Sequence, residues 1–360
     1  MKRFLFFVAA AMSMIGMQAQ PQLTKYKPGV TTEGAVYYLP KTAIRIVVKV
    51  EKTEYTPGEF ATYAQRFLRL NDVATQPSTS YRVIDIGFST FGVADSAKCY
   101  SLKFNPKNPT PIIELSEQGV LLAINANPMT EKVPAPFVAA PKNKREDPRQ
   151  YMNEEILSAG SKAKMAQLTA EEIYNLRESK NMLNRGEADF MPKDGEQLRI
   201  MLANLDKQDR MLSSLFSGYE EKDTMEQTFV VCPDAPVERQ VIFRLSKHLG
   251  LVDADDLSGI PYYICIEDLN SVKEPVEDLN VKKKKKVDFD AGIYVNVPDK
   301  AKATIYKDAK VMGSIDFVAG QFGNVELLSG ELFTKKVVSH LTLNPTTGSV
   351  AKLQVEDLGK

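Results

Sequence analysis

Tryptophan is absent from this 360-residue chain, histidine occurs twice and cysteine three times. His248 in "LSKHLGL" and His340 in "VVSHLTL" cannot make an HExxH helix, and no CxxC or CxxCH occurs. Spacing therefore supports no zinc or haem site, and no cofactor is expected. A P-loop, a GxGxxG turn, a GxSxG elbow and an SxxK–KTG pair are all missing. The phosphate cradles and nucleophile turns of the commonest enzyme classes are excluded with them. A Ser-His-Asp triad, or Cys99 or Cys265 as a nucleophile with a distant histidine, has only scattered residues to draw on. Charge of one sign is lacking too: 46 basic side chains face 46 acidic ones. That balance excludes the broad basic field of a nucleic-acid binder. No run after the N-terminus approaches the ~20 apolar residues of a membrane-spanning helix, so the chain reads as not an integral membrane protein.

The first residues, "MKRFLFFVAAAMSMIGMQAQ", carry Lys2 and Arg3, then the apolar stretch 4–17, then small Ala19. This is the layout of a secretory signal peptide over residues 1–19, with cleavage expected after Ala19. Loss of Lys2 and Arg3 leaves a net charge of about −2. The first cysteine is Cys99, so no lipidated cysteine stands at the new terminus. The expected address is the periplasm or outer surface of a Gram-negative bacterium.

Periodicity divides the remainder. Residues 20–132 read as strand-rich with one helix. In "TAIRIVVKVEKTEY", Ile44, Ile46, Val48 and Val50 alternate with Arg45, Lys49 and Glu51, which predicts a half-buried strand. "TPGEFATYAQRFLRL" (56–70) predicts a helix with Thr56 as cap, Pro57 at its first position and Glu59 completing a capping box. Its apolar face is Phe60, Tyr63, Ala64, Phe67 and Leu68. "YRVIDIGFSTFGV" and "KCYSLKF" read as strands, and "PIIELSEQGVLLAIN" as a hairpin turning at 116–119. Residues 133–150 hold four prolines and a charge cluster, and read as a linker. Residues 151–225 switch to helical spacing. One helix is expected over 168–186, capped by Thr169 with Glu172, and another over 194–219, capped by Asp194 with Gln197; together they form an antiparallel hairpin. Residues 226–360 return to short strands, as in a small sandwich or barrel. The fold class is therefore α+β, two strand-rich regions with an α-helical hairpin between them; insertion of the hairpin between strands of one β core is one reading of this order. The hairpin and the non-aromatic "EDLGK" ending speak against an outer-membrane barrel.

Candidate site residues are few. Lys282, Lys283, Lys284, Lys285 and Lys286 form a basic loop that attracts anionic surfaces. Glu274, Glu277, Asp278, Asp288 and Asp290 flank it, and screening within ~8 Å leaves little net field beyond the loop. A solvated connection and an anionic contact are both readings of this run. Asp253, Asp255 and Asp256 offer hard oxygens for Ca²⁺, but the twelfth position of an EF-hand loop is Ile264, and turn chemistry explains the aspartates equally. Cys232 and Cys265, both in strand-like segments, are the better candidate pair for a disulfide; three buried free thiols are the alternative. "DSA" and "DTM" make Ser96 and Thr224 candidate O-glycosylation sites.

Several segments together resemble an exported domain-of-unknown-function family of Bacteroides-type Gram-negative bacteria. They are the leader ending "QAQ", "YLPKTAIRIVVKVEKTEYTPGEFATYAQRFL", "IELSEQGVLLAIN", "GIYVNVPDKAKATIY", "VAGQFGNVELL" and "LTLNPTTGSV". The resemblance implies a secreted, strand-rich architecture and supplies no site residue. The functional expectation is a non-enzymatic cell-envelope protein that binds or scaffolds another envelope protein or a glycan, with uncovered strand edges as natural contact points. The alternative is a carboxylate-based hydrolase of glycan or peptidoglycan. It requires two facing carboxylates, one with a raised pKa.

Overall fold

The computed structural model describes residues 34–103, 111–131, 133–139, 141, 145–189, 191–192, 194–272, 292–328, 332 and 337–357. The expected leader over 1–19 and the lysine run 282–286 lie outside the described residues.

The first strand organises the molecule. β1 runs over Gly34–Thr56 and alternates inward and outward for most of its length. Ile44, Ile46, Val48 and Val50 are all completely buried, as their spacing predicts. Each such side chain contributes about 1.5–3 kcal/mol of apolar burial. β1 is the middle strand of a three-stranded antiparallel sheet, flanked by β2 (Ser78–Lys103) and β5 (Tyr219–Val231). A second, five-stranded sheet has the order β10-β9-β8-β6-β7. Its strands are β6 (Val237–Ser246), β7 (Gly250–Val252), β8 (Ile260–Asp268), β9 (Ile293–Lys307) and β10 (Lys310–Leu328). The third sheet is β12-β11-β4-β3, built from β3 (Ile113–Leu115), β4 (Leu121–Ile124), β11 (Val337–Leu343) and β12 (Val350–Asp357).

These sheets share cores. The inward residues of β1 between Ile44 and Val50 meet Phe243, Tyr262, Ile264, Ile266, Ala303 and Ile305 of the five-stranded sheet. Phe243 stacks between Phe229 and Tyr262, at 5.0 and 4.6 Å between ring centres. The earlier part of β1, through Ala35, Tyr37 and Leu39, enters a second core with Ile113, Leu121, Ile293, Val295, Leu341 and Leu343. Strands from residues 34–124 and 219–357 thus interleave. The α+β expectation holds. Several segments that read as separate strands are continuous: "YRVIDIGFSTFGV" and "KCYSLKF" both lie in β2, and β9 and β10 each unite two. Bulges allow this, because a strand can carry turn-forming residues as extra, unpaired positions without ending.

The helical section begins where β1 stops. The predicted helix over 56–70 is mostly not one. Thr56 is still β1, a single 3₁₀ turn covers Ala61–Tyr63, and α1 is only Ala64–Leu68. Glu59 caps nothing and pairs instead with Arg149 at 2.9 Å. The apolar face survives this shortening: Phe60, Ala64 and Leu68 are buried. After α2 (Glu154–Leu157), α3 (Lys162–Arg185) starts earlier than expected. Ser161 is its cap, while Thr169 lies buried in mid-helix and donates to Met165 O. It ends at Gly186, the last residue of the expected span, whose φ of 73° is the left-handed cap that glycine favours. α4 (Gly195–Ser217) has the predicted Asp194 cap, whose carboxylate accepts from Gln197 N at 2.7 Å. Arg177 with Asp209 and Lys180 with Asp206 tie the two long helices together. The base of this arm packs on the 3₁₀ turn and α1, where Phe216 meets Phe60 at 5.4 Å between ring centres. The chain then returns from α4 directly into β5, whose first residue Tyr219 pairs with Thr56.

Candidate functional site

Two strands bulge at the same level of the molecule. Along β2 the pairing with β1 jumps from Cys99 opposite Tyr38 to Ala94 opposite Pro40. Asp95, Ser96, Ala97 and Lys98 are left looped out. Along β10 the pairing jumps from Ala319 to Asn324, which loops out Gly320, Gln321, Phe322 and Gly323. β5 also ends here, at Val231 opposite Ile44. The backbone of Thr42, two residues further on, therefore lacks a neighbouring strand on that side. Gln321 replaces it. Its Oε1 accepts from Thr42 N at 2.8 Å, and its Nε2 donates to Thr42 O at 2.8 Å and to Pro233 O at 3.0 Å. A side-chain amide has the same donor and acceptor as a peptide, so one residue completes the ladder.

The turn between β11 and β12, "NPTTGS", is driven into the same place. Asn296 donates from Nδ2 to Pro40 O at 2.9 Å and to Thr347 O at 2.8 Å. Thr42 Oγ1 donates to Thr346 O at 3.0 Å and accepts from Gly320 N at 3.2 Å. Glycine makes the close approach possible: a Cβ on Gly92 would sit 2.0 Å from Pro345 O. Thr42, Asn296 and Thr347 are 0%, 1% and 6% exposed, so this is an internal polar knot. Asn296 Oδ1 alone has no partner in it.

A charged rim surrounds the knot. Lys41 Nζ donates to Asp234 Oδ1 at 2.8 Å, and this hydrogen bond holds the amine above its usual range. Lys98 is half-buried, and burial pushes its amine down against the pull of Asp95. Burial pushes the Cys232 thiol up, with nearby Lys41 opposing it. A thiol held up in this way is protonated at neutral pH and a poor nucleophile. Lys41, Lys98, Asp95 and Asp234 balance one another in charge. The arrangement can hold three segments in register and offer a small polar, overall neutral surface.

The expected site residues are scattered. The Cys232–Cys265 bridge is not formed, and Cys99, Cys232 and Cys265 are all free thiols. Cys232 follows β5 of the three-stranded sheet, whereas Cys265 sits in β8 of the five-stranded sheet opposite Thr304, with Glu267 beside its sulfur. Proximity in a β-rich half of the sequence does not bring two strands of different sheets together. Asp253, Asp255 and Asp256 do not form a calcium cradle, and no metal-ligating group occurs among the described residues. Asp256 accepts instead from Ser258 N at 2.8 Å and closes the turn before β8. His340 Nδ1 contacts Asn125 O, and His248 Nδ1 lies 3.3 Å from Thr79 O, far apart along the fold. Ser96 is exposed on the β2 bulge, and Thr224 is half-buried opposite Glu51. Sequence reasoning missed Thr42, Gln321 and Asn296. Their only local signal is the glycine bracket of "GQFG" and the turn chemistry of "NPTTGS".

A second candidate surface lies at the far end of the helical arm. Met182, Leu183, Ala188, Met201 and Leu205 line a cleft of about 360 Å³ there, with Ser179, Asp189 and Asn204 at its margin. At the arm's base Leu212, Leu215 and Phe216 are buried. Toward the tip the same apolar stripe is only half-covered, and Ile200 is exposed. No helix among the described residues is long and apolar enough to cross a membrane.

A family model described as "Domain of unknown function (DUF4831)" matches residues 33–351 of the chain. No curated protein and no solved structure matches it.

Proposed function

We propose that this chain, which belongs to the DUF4831 family, is an exported cell-envelope protein that binds or scaffolds another envelope component without catalysing a reaction. The observation that carries this reading is the apolar stripe of α4, which outruns its own packing. Its base is buried against Phe60 and α1, but Met182, Met201 and Leu205 are left around an open cleft at the tip. A methionine-rich cleft adapts its shape to an apolar partner. An arm held out from three sheets is suited to reach one.

The electrostatics weigh against the hydrolase reading. Among the described residues, every carboxylate whose pKa clearly departs from normal is held down, not up. Hydrogen bonds from Arg82, Lys207 and Arg199 depress Glu51, Glu146 and Glu196. The hydrogen bond from Ser258 N depresses Asp256. Burial raises Asp209 and Asp299, but their hydrogen bonds outweigh it. A glycosidase needs one carboxyl kept protonated as the acid.

Export to the periplasm or outer surface of a Gram-negative bacterium belongs to the same proposal and rests on the leader-like residues 1–19. The test is photo-crosslinking in the native envelope from position 201, with position 85 on the sheet as control. A discrete adduct to one envelope component from position 201, abolished by Leu205→Asp, is the expected result. Equal labelling from both positions, or recovery of the chain in the cytoplasm, refutes the reading.

A further inference from the structure

β12 closes one edge of its sheet, and among the described residues it pairs with β11 alone. All eight of its residues are exposed. Leu353 stands opposite Leu341 and Val355 opposite Ser339, and those β11 partners are 0% and 1% exposed. Leu353 and Val355 therefore lie on the face that continues the second core, yet remain 37% and 50% exposed. Lys352, Gln354 and Glu356 occupy the other face, since side chains alternate along a strand. Glu356 lies 3.8 Å from His340 Nε2 and stays 70% exposed. Lys352, Glu356 and, on the inner face, Asp357 put charge on this edge, one of the ways natural edges are blunted, but no proline occurs within 350–357 and Leu353 and Val355 stay exposed.

We propose that β12 pairs with β12 of a second copy of the chain, antiparallel, about a two-fold axis through Gln354. The choice of a second copy comes from the strand's own pattern. In an antiparallel pair centred on Gln354, Lys352 faces Glu356 of the other copy, and the symmetry makes that ion pair twice. On the opposite face Leu353 meets Val355 of the other copy, again twice. Centring on Leu353 sets Lys352 against Gln354 and Val350 against Glu356. Centring on Val355 sets Leu353 against Asp357 and Gln354 against Glu356. Of these three registers only the one centred on Gln354 pairs the opposite charges and the two apolar side chains together, with Ala351 opposite Asp357 at its ends, and a two-fold interface must be self-complementary in this way. The resulting sheet is continuous through eight strands, with both apolar faces on the same side. The contact is one strand wide and small for a protein interface, so the dimer forms as concentration rises and dissociates on dilution.

The test is sedimentation equilibrium of the purified chain over roughly 1–500 μM, the range in which weak contacts dissociate. The wild type is expected to move from monomer to dimer. Lys352→Glu sets like charges across the axis and should weaken association at least about tenfold. Lys352→Glu with Glu356→Lys restores the pair in reverse and should recover wild-type association. Both positions are on the exposed edge, and an unchanged melting temperature verifies the fold of each variant. A wild type that stays monomeric throughout, or a dimer indifferent to Lys352→Glu, or a double variant no better than the single one, overturns the proposal.

Discussion

Replacing Gln321 by alanine should destabilise the protein far more than a half-buried glutamine ordinarily would. Its amide satisfies Thr42 N and Thr42 O, each at 2.8 Å, and Pro233 O at 3.0 Å. Thr42 is completely buried, and β5 has already ended, so no other strand can take over. An orphaned buried backbone group costs ~1–3 kcal/mol, so two at Thr42 set an upper range of about 2–6 kcal/mol. Water can reach the site from the partly open Gln321 side, which places the expected loss near 2–4 kcal/mol. Urea unfolding followed by circular dichroism and tyrosine fluorescence measures it, since the chain has no tryptophan. Gln321→Glu separates hydrogen bonding from shape. Its carboxylate faces two carbonyl oxygens, so the protonated form is favoured in the folded state and its pKa is raised there. Stability linked to a raised carboxyl pKa is present at low pH and lost as pH rises. The Gln321→Glu deficit should therefore shrink on acidification. A loss below about 0.5 kcal/mol for Gln321→Ala, the scale of an ordinary surface change, would show that the amide does not complete the β1 ladder.

Gly92→Ala should abolish or severely weaken folding, because its Cβ would meet Pro345 O at 2.0 Å, whereas Gly160→Ala, with nothing within 4 Å, should change the melting temperature little. Phe216→Ala removes a completely buried ring from the arm's base and should cost about 3–5 kcal/mol. Hydrogen exchange should then accelerate in α3 and α4 before it does in β1. Burial raises the Asp299 carboxyl, but it accepts from Ser271 Oγ, from Ser271 N at 2.8 Å, Val272 N at 3.1 Å and Lys300 N at 2.6 Å, and these hydrogen bonds together outweigh burial and hold its pKa down. A depressed folded-state pKa stabilises above the unfolded value of ~3.9 and loses that contribution as pH falls through the folded one. Asp299→Asn should thus be less stable at pH 7 and show a flatter acid limb in a melting-temperature series; an unchanged acid limb refutes this role.

Much of the local structure was legible. The alternation from Ile44 to Val50 predicted a buried face, and all four side chains are completely buried. The hairpin turn at 116–119 forms, with Gly119 N donating to Ser116 O at 2.9 Å and Gly119 at φ 79°. Asp194 caps α4 where the sequence places it, and α3 ends at Gly186, the last residue of its expected span. These signals act between residues a few positions apart, and hydrogen-bond capping and side-chain alternation operate at that range. α3 starts earlier than its capping pattern predicts, because Thr169 and Glu172 imitate a capping box inside a longer helix capped by Ser161, where Thr169 is buried.

By itself the sequence determined the α+β class, the buried face of β1 from Ile44 to Val50 and the helical arm. Only the tertiary structure decided which strands fuse, why Cys232 and Cys265 stay apart, and that Gln321 stands in for a missing strand. Gln321 and Thr42 are 279 residues apart. No periodicity spans that distance. Their meeting depends on where β5 stops and on how far β2 and β10 bulge, and such registers are fixed by the burial of whole sheet faces.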